Sequence, residues 1–409
     1  MALALTRGAL ALFAAALAGC DTGGPELVPS VAGRRELVHA GAPHTAHVTD
    51  PALALAPDGA PHLAWIRRDG ADESVRTAVI DGADAAGVRV DPPERPVAGG
   101  HQPPGLAIGA DARVHVSWSS PRRDAGGSPF ASDLVLATSE DRGRHFGPPL
   151  RVNEDRPGSR GFESIAVDAE GAVLAAWIES GAGPGAATRA VRIANGAAGE
   201  VALLGTRTCP CCRVAVAPDA TGRVGALWRD EFTGRVRDMV FALSPRGPLA
   251  FAPGERVHDD GWAFDACPHR GGALAFAPDG RALVAWYSEG RAGEPALWLA
   301  ARTPDGFSDP LALHEGAGSL PDRVALAVGA DGSGLVLWER RSPVRSEIAA
   351  RALDAGGRPG AVRVLSRGVH ASGPALVAAP GGGFVAAWNE EEFPVLRTVV
   401  AELALGSTP

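Results

Sequence analysis

Seven short apolar segments of this chain each end in tryptophan, at Trp65, Trp118, Trp177, Trp228, Trp286, Trp338 and Trp388, and successive tryptophans lie 50 to 59 residues apart. Ahead of most of them stands a tight-turn signal, such as Ala56-Pro57-Asp58-Gly59, Ala277-Pro278-Asp279-Gly280 or Gly329-Ala330-Asp331-Gly332. Two apolar runs flanking such a turn read as a β-hairpin. A third strand follows after a loop, as at Leu134 to Thr138, and a short fourth, as at Leu150 to Asn153. A period of about 50 residues built from β units is the signature of a propeller.

The expectation is therefore an all-β fold, a seven-bladed β-propeller with four antiparallel strands per blade. After Trp388 the chain has room for only one more strand, Leu396 to Leu405, so the last blade would lack its outer strand. The segment from Arg35 to Ala40, ahead of the first repeat, resembles the other outer strands and is expected to close that blade, which leaves no long open edge. The repeated tryptophans are expected to fill the gaps between blades rather than stack on a ligand, because all seven hold one buried-strand position.

The chain opens with Arg7 ahead of an apolar run from Ala9 to Leu17, too short to span a bilayer, and the run ends in Leu17-Ala18-Gly19-Cys20. That ending resembles a bacterial lipobox. The resemblance implies cleavage before Cys20 and a diacylglycerol on its sulfur. The expected division is a signal peptide over 1–19, a lipid-anchored tether over 20–34 and one propeller over 35–409, held at the bacterial cell envelope as a periplasmic or surface-exposed lipoprotein.

A formal charge of -8 gives no basic footprint, which argues against nucleic acid as a partner. The partners expected are a carbohydrate or an envelope protein, and the membrane through the N-terminal lipid, with the chain itself a monomer. Four cysteines follow Cys20: Cys209, Cys211, Cys212 and Cys267. In an oxidising compartment an even number makes disulfides the first expectation.

Residues Ser139-Glu140-Asp141-Arg142-Gly143-Arg144-His145-Phe146 match an Asp-box, with Ser139, Asp141, Gly143 and Phe146 at the defining positions. The motif resembles the bacterial neuraminidase repeat of sialidase-like propellers. With the seven hairpin units around it, the likeness covers nearly the whole mature chain. The resemblance makes the Asp-box structural and places it on the face opposite the active site. A sialidase needs an arginine triad, a tyrosine nucleophile with a glutamate partner, and an aspartate acid/base. Here the Arg-Ile-Pro motif is missing, the single tyrosine is Tyr287, and sialidases usually have six blades. The activity does not transfer on fold alone.

Two sets of residues are expected to share the top face. One follows each tryptophan: Arg67, Glu179, Asp230, Glu289, Arg340, Arg341 and Glu390 among them. Arginines hold a carboxylate or sulfate bidentately, and paired carboxylates run glycoside hydrolysis. The catalytic candidates are Tyr287, Glu289, Asp230 and Glu179, and the ligand-binding candidates Arg67, Arg340, Arg341 and Glu390. The second set precedes each first strand, where His47, His101, Cys209, His269 and His370 stand at one register. It brings Cys209-Pro210-Cys211-Cys212 beside Cys267-Pro268-His269. Three readings stay open there: disulfides, a copper or zinc site using Cys209, Cys211 or Cys212, Cys267 and His269, with His101 in the same register, and a redox dithiol. No cofactor is expected outside the metal reading.

The function expected is recognition of an anionic glycan or envelope ligand at the top face, with residual exo-glycosidase chemistry of the sialidase type. The alternatives are a metal-binding propeller and a protein-interaction scaffold.

Overall fold

The computed structural model describes residues 27–42, 46–80, 87–97, 102–122, 130–181, 185–314, 319–368 and 370–407. Cys20 and His101 lie outside them. The described residues form strands and no helix.

The hairpin turns form as their composition dictates. In the first, the Gly59 N–H reaches the Ala56 carbonyl at 2.8 Å and the Ala56 N–H reaches the Ala60 carbonyl at 2.9 Å. Gly59 sits at φ 85°, which glycine adopts without steric cost. The Asp58 carboxylate accepts from the Ala60 N–H at 3.1 Å, the local bond that favours aspartate in turns. The turns at Gly171, Gly222, Gly280 and Gly332 repeat the pattern.

Each hairpin grows into an antiparallel meander. The second runs Gly105–Ile108, Val114–Pro121, Ser132–Ser139 and Leu150–Arg151. The sixth runs Leu320–Val328, Gly334–Ser342, Arg345–Leu353 and Pro359–Val364. Successive first strands neighbour one another around the molecule, and the last, His370–Ala378, neighbours Ala52–Leu55 of the first, so the ring of inner strands closes.

The final meander is completed from the other end of the chain. Leu27–Val38 pairs antiparallel with Val395–Ser407, from Leu27 opposite Ser407 to Val38 opposite Arg397. This corrects the expected tether of 20–34, because residues 27–34 already belong to the outer strand. Along the longer strand Val28 and Val31 pair with Gly406 and Leu403, and Arg35 pairs with Val400 while its guanidinium holds Glu402 and the Ile80 carbonyl.

The core lies between meanders. Every repeated tryptophan is at most 3% exposed, and each packs on the meander before its own. Trp118 clusters with Ala64 and Ile66, Trp228 with Leu174 and Ala176, and Trp388 with Leu335 and Ile348. Trp65 packs against Val385 and Val400 of the last meander and Leu37 of the N-terminal strand, so the closure has the same apolar filling as every other junction.

Candidate functional site

Strand pairing brings the two charged sets to one mouth. His47 lies opposite Arg68, Arg160 opposite Glu179, Pro321 opposite Arg340 and His370 opposite Glu391. The end of each second strand and the start of each first strand therefore share a rim.

Most of the carboxylates and arginines picked out from sequence are spent on one another. Glu179 is buried beneath Arg156, Arg160 and Arg189 at 2.8, 3.2 and 3.0 Å. Asp230 accepts the indole N–H of Trp228 at 2.7 Å, and burial holds its carboxyl above the usual range. Glu390 accepts from the Trp388 indole at 2.9 Å, from Arg34 at 2.7 Å and from the Arg367 backbone N–H at 3.1 Å. Burial opposes its ionisation, but these donors hold it below the ordinary value. Arg67 pairs with Asp69 at 2.6 Å and Arg340 with Glu347 at 2.6 Å. Arg341 holds Glu339 and reaches Asp322 at 3.4 Å. Asp230 and Glu179 are thus occupied by partners within the fold. At Asp230 and Glu390 the acid two residues after the tryptophan is the acceptor that its buried indole N–H needs.

The groups that do converge line a central cavity of about 270 Å³, among them Asp50, Arg213, His269, Arg270, Tyr287 and Arg323. They come from different meanders. A rim groove of about 860 Å³ shares Asp50 and Arg323 with this cavity and runs out past His47, Arg341 and His370. Tyr287 is 2% exposed and donates its hydroxyl to Glu289 Oε1 at 2.6 Å. Burial, and then that carboxylate, push the phenol well above the ordinary range. The Arg270 guanidinium lies over the Tyr287 ring at 4.0 Å and reaches Asp322 Oδ1 at 3.2 Å. Arg213 is fixed by the Glu163 carbonyl at 2.7 Å. Burial works against the charge on both Arg213 and Glu163, which act on each other electrostatically. Arg323 pairs with Asp50 and lies 3.8 Å from Glu339.

Sequence reasoning at one fixed register missed Asp50, Arg213, Arg270 and Arg323. Three of the inner strands carry a register shift at the cavity, at Gly161/Ser164, Asp322/Val324 and Ser372/Ala375. The residues at these shifts, Phe162, Arg323 and Gly373, have positive φ of 57°, 44° and 66°. A bulge re-aims a side chain, and here it puts Arg323 into the cavity. A Cβ on Gly373 would come within 2.2 Å of Asp50, so glycine is what admits that carboxylate. The available signal was a basic residue shortly after three of the register positions, Arg213 after Cys209, Arg270 after His269 and Arg323 after Pro321.

The cysteines sit on the same rim, beside the cavity. Cys209, Cys211 and Cys212 are buried, and Cys267 is exposed. All four are free, which corrects the disulfide expectation: Cys209 Sγ lies 3.8 Å from Cys211 Sγ and 3.4 Å from Cys212 Sγ, beyond the roughly 2.05 Å of a bond. The expected single metal set is also not assembled as such. Cys209, Cys211 and Cys212 form one triad of mutually close donors, and Cys211, Cys267 and His269 form another. Donation from the two neighbouring thiols, helped by the Arg237 guanidinium, holds the Cys209 thiol far below the usual range, while burial pushes Cys212 up to about 12.

The Asp-box is a closed local network. Ser139 Oγ donates to Asp141 at 2.8 Å and accepts from the Gly143 N–H at 2.8 Å, and Asp141 Oδ1 accepts from the N–H groups of Arg144 and His145 at 3.1 and 2.9 Å. Gly143 takes φ 84°, and Phe146 packs on the junction of the first two meanders. Its bonds are spent internally.

No protein-family model and no curated protein matches the sequence. Solved structures match by fold. An ulvan lyase of polysaccharide lyase family PL25, bound to -[GlcA(1-4)Rha3S]-, aligns at TM-score 0.57 and 10% identity over 90% of this chain and 96% of its own. A protein of unknown function from Dyadobacter fermentans DSM 18053 aligns at TM-score 0.51 and 15% identity over 74% of this chain and 94% of its own. The Hadza microbial sialidase Hz136 aligns at TM-score 0.49 and 13% identity over 83% of this chain and 73% of its own. The fold is that of a β-propeller.

Proposed function

We propose that this chain is a seven-bladed, lipid-anchored propeller of the bacterial envelope that binds an anionic sugar in its central cavity. The observation that carries the reading is the convergence of Arg213, Arg270 and Arg323, from three meanders, on the cavity lined also by Tyr287, whose hydroxyl donates to Glu289. A guanidinium fork matches a carboxylate or sulfate in two parallel bonds. Each of these arginines is braced on one side by a carbonyl or carboxylate, so little side-chain entropy is left to lose on binding. The ulvan lyase of like fold is itself bound to a uronate-containing polymer, a ligand of this class. The closed ring of inner strands supports the blade count, and the N-terminal strand reaching the ring's edge supports a tether that leaves from there.

Within this reading Tyr287 is the nucleophile candidate and Glu289 accepts its proton, the roles that the sialidase resemblance implies. The test is a panel of glycosides on the exported chain carrying Cys20→Ser. Binding of sialic or uronic acids, with neutral sugars excluded, supports recognition. Release of a fluorophore from a sialoside, lost in Tyr287→Phe, supports hydrolysis. Equal binding of neutral and anionic sugars contradicts both.

A further inference from the structure

We infer that the cysteine cluster is a dinuclear copper(I) site in which Cys211 bridges two ions. The first ion takes Cys209, Cys211 and Cys212, and the second takes Cys211, Cys267 and His269.

The argument begins with spacing. Within each triad all ligand atoms lie within 4.8 Å of one another, and no larger set of described donors meets that condition. Metal–sulfur bonds of about 2.3 Å place sulfurs on one ion roughly 3.8 Å apart. Cys209 stands at 3.8 and 3.4 Å from its two neighbours, so the buried triad is already near ligating geometry. Structural zinc takes four protein ligands, and this cluster offers two overlapping sets of three. One set is three thiolates and the other two thiolates and an imidazole, soft donors that suit monovalent copper.

Charge gives an independent argument. Four thiolates and two monovalent ions leave two negative charges. Two buried guanidiniums stand against the sulfurs. Arg237 donates to Cys209 Sγ at 2.9 Å and shares its charge with Glu231 at 3.1 Å. Arg229 is fully buried and acts electrostatically on Cys212. Its side-chain bonds go to the carbonyls of Arg270, Arg237 and Tyr287, at 3.1, 2.6 and 2.8 Å, and not to a carboxylate. A buried cation with only neutral acceptors needs a counter-charge, and the adjacent thiolates supply it. A pair of disulfides would leave Arg229 without one.

The scaffold holds the donors from two adjacent meanders, and a third supplies the residue packed on them. Phe162 packs on the three buried cysteines, and its ring lies 6.1 Å from that of His269. The buried triad is shielded, and Cys267 and His269 form its exposed side, through which an ion enters.

The experiment loads the reduced chain, carrying Cys20→Ser, anaerobically with the acetonitrile complex of copper(I). It then counts metal by native mass spectrometry after competition with a copper(I) chelator. The expected result is two coppers on the wild type and one on Cys267→Ser, whose exposed position leaves the fold intact by circular dichroism. X-ray absorption should show a copper–copper distance in the first and none in the second. A single copper on the wild type, equal copper on both chains, or one zinc held in preference to copper overturns the assignment. So does a chain that purifies with Cys209 bonded to Cys212 and takes up no copper after reduction. Sugar binding in Cys267→Ser is measured in parallel, so that loss of metal and loss of glycan recognition are told apart.

Discussion

Tyr287 donates its hydroxyl to Glu289 at 2.6 Å from a buried position beneath the Arg270 guanidinium. The two residues are neighbours across the end of one strand, where alternation puts i and i+2 on one face. The phenol keeps its proton through the ordinary tyrosine range, because burial and the adjacent carboxylate both resist a second negative charge. Attack by Tyr287 therefore depends on Glu289 taking that proton. Tyr287→Phe should reduce sialoside hydrolysis by roughly 10²–10⁴-fold, with affinity for the free sugar changed by less than about threefold. Steady-state kinetics and calorimetry on the same preparation check this. Full hydrolysis in the variant would remove Tyr287 from the reaction.

The indole partners give a stability prediction. Trp228 donates to Asp230, whereas the Trp177 indole N–H has no partner among the described residues. Trp228→Phe leaves a buried carboxylate without its donor and should cost about 1–3 kcal/mol more than Trp177→Phe. Trp→Ala at either site should cost about 3–5 kcal/mol through the cavity it opens between meanders. Urea unfolding of the four variants decides it. Equal costs for the two Phe variants would mean that Asp230 finds another donor.

The blade pattern was legible because its signals are local. Pro-Asp-Gly turns and the terminal Trp each act within one hairpin, and repetition made them countable. The site was legible only in part. Tyr287, Glu289, His269 and the cysteines were found because their residue types are rare or reactive. Arg323 was not, because a bulge at Asp322/Val324 changes which face its side chain takes, and bulges leave no mark in the alternation of a short strand. Glu179 and Asp230 misled for the opposite reason. Sequence shows a carboxylate but not the three arginines or the indole that occupy it.

Acid should loosen the closure. Glu390 ties the last meander to Arg34 of the N-terminal strand, and its folded pKa lies below the ordinary 4.5. A depressed carboxylate contributes stability that is complete above its unfolded pKa and is lost as pH falls through the folded value. The wild type should therefore lose thermal stability below about pH 4.5 more steeply than Glu390→Gln, with hydrogen exchange rising first in residues 27–38. Identical acid profiles would detach Glu390 from the clasp.

The Asp-box turn should be sensitive at Gly143. Its φ of 84° suits glycine, and a Cβ there would make only ordinary contacts, nearest at 3.8 Å. Gly143→Ala should therefore cost about 1–2 kcal/mol from backbone strain alone, with no change in sugar or copper binding. A change in either ligand's affinity would show that the Asp-box communicates with the opposite face.

The most direct measurement of the central claim is isothermal titration of the exported chain with N-acetylneuraminic acid, glucuronic acid and glucose, repeated on Arg323→Ala and Arg270→Gln. The account predicts saturable binding of the two acids, no binding of glucose, and a loss of about tenfold or more in each arginine variant, the scale of one charge-assisted hydrogen bond. Binding that ignores both substitutions, or no binding of either acid by the wild type, would contradict it.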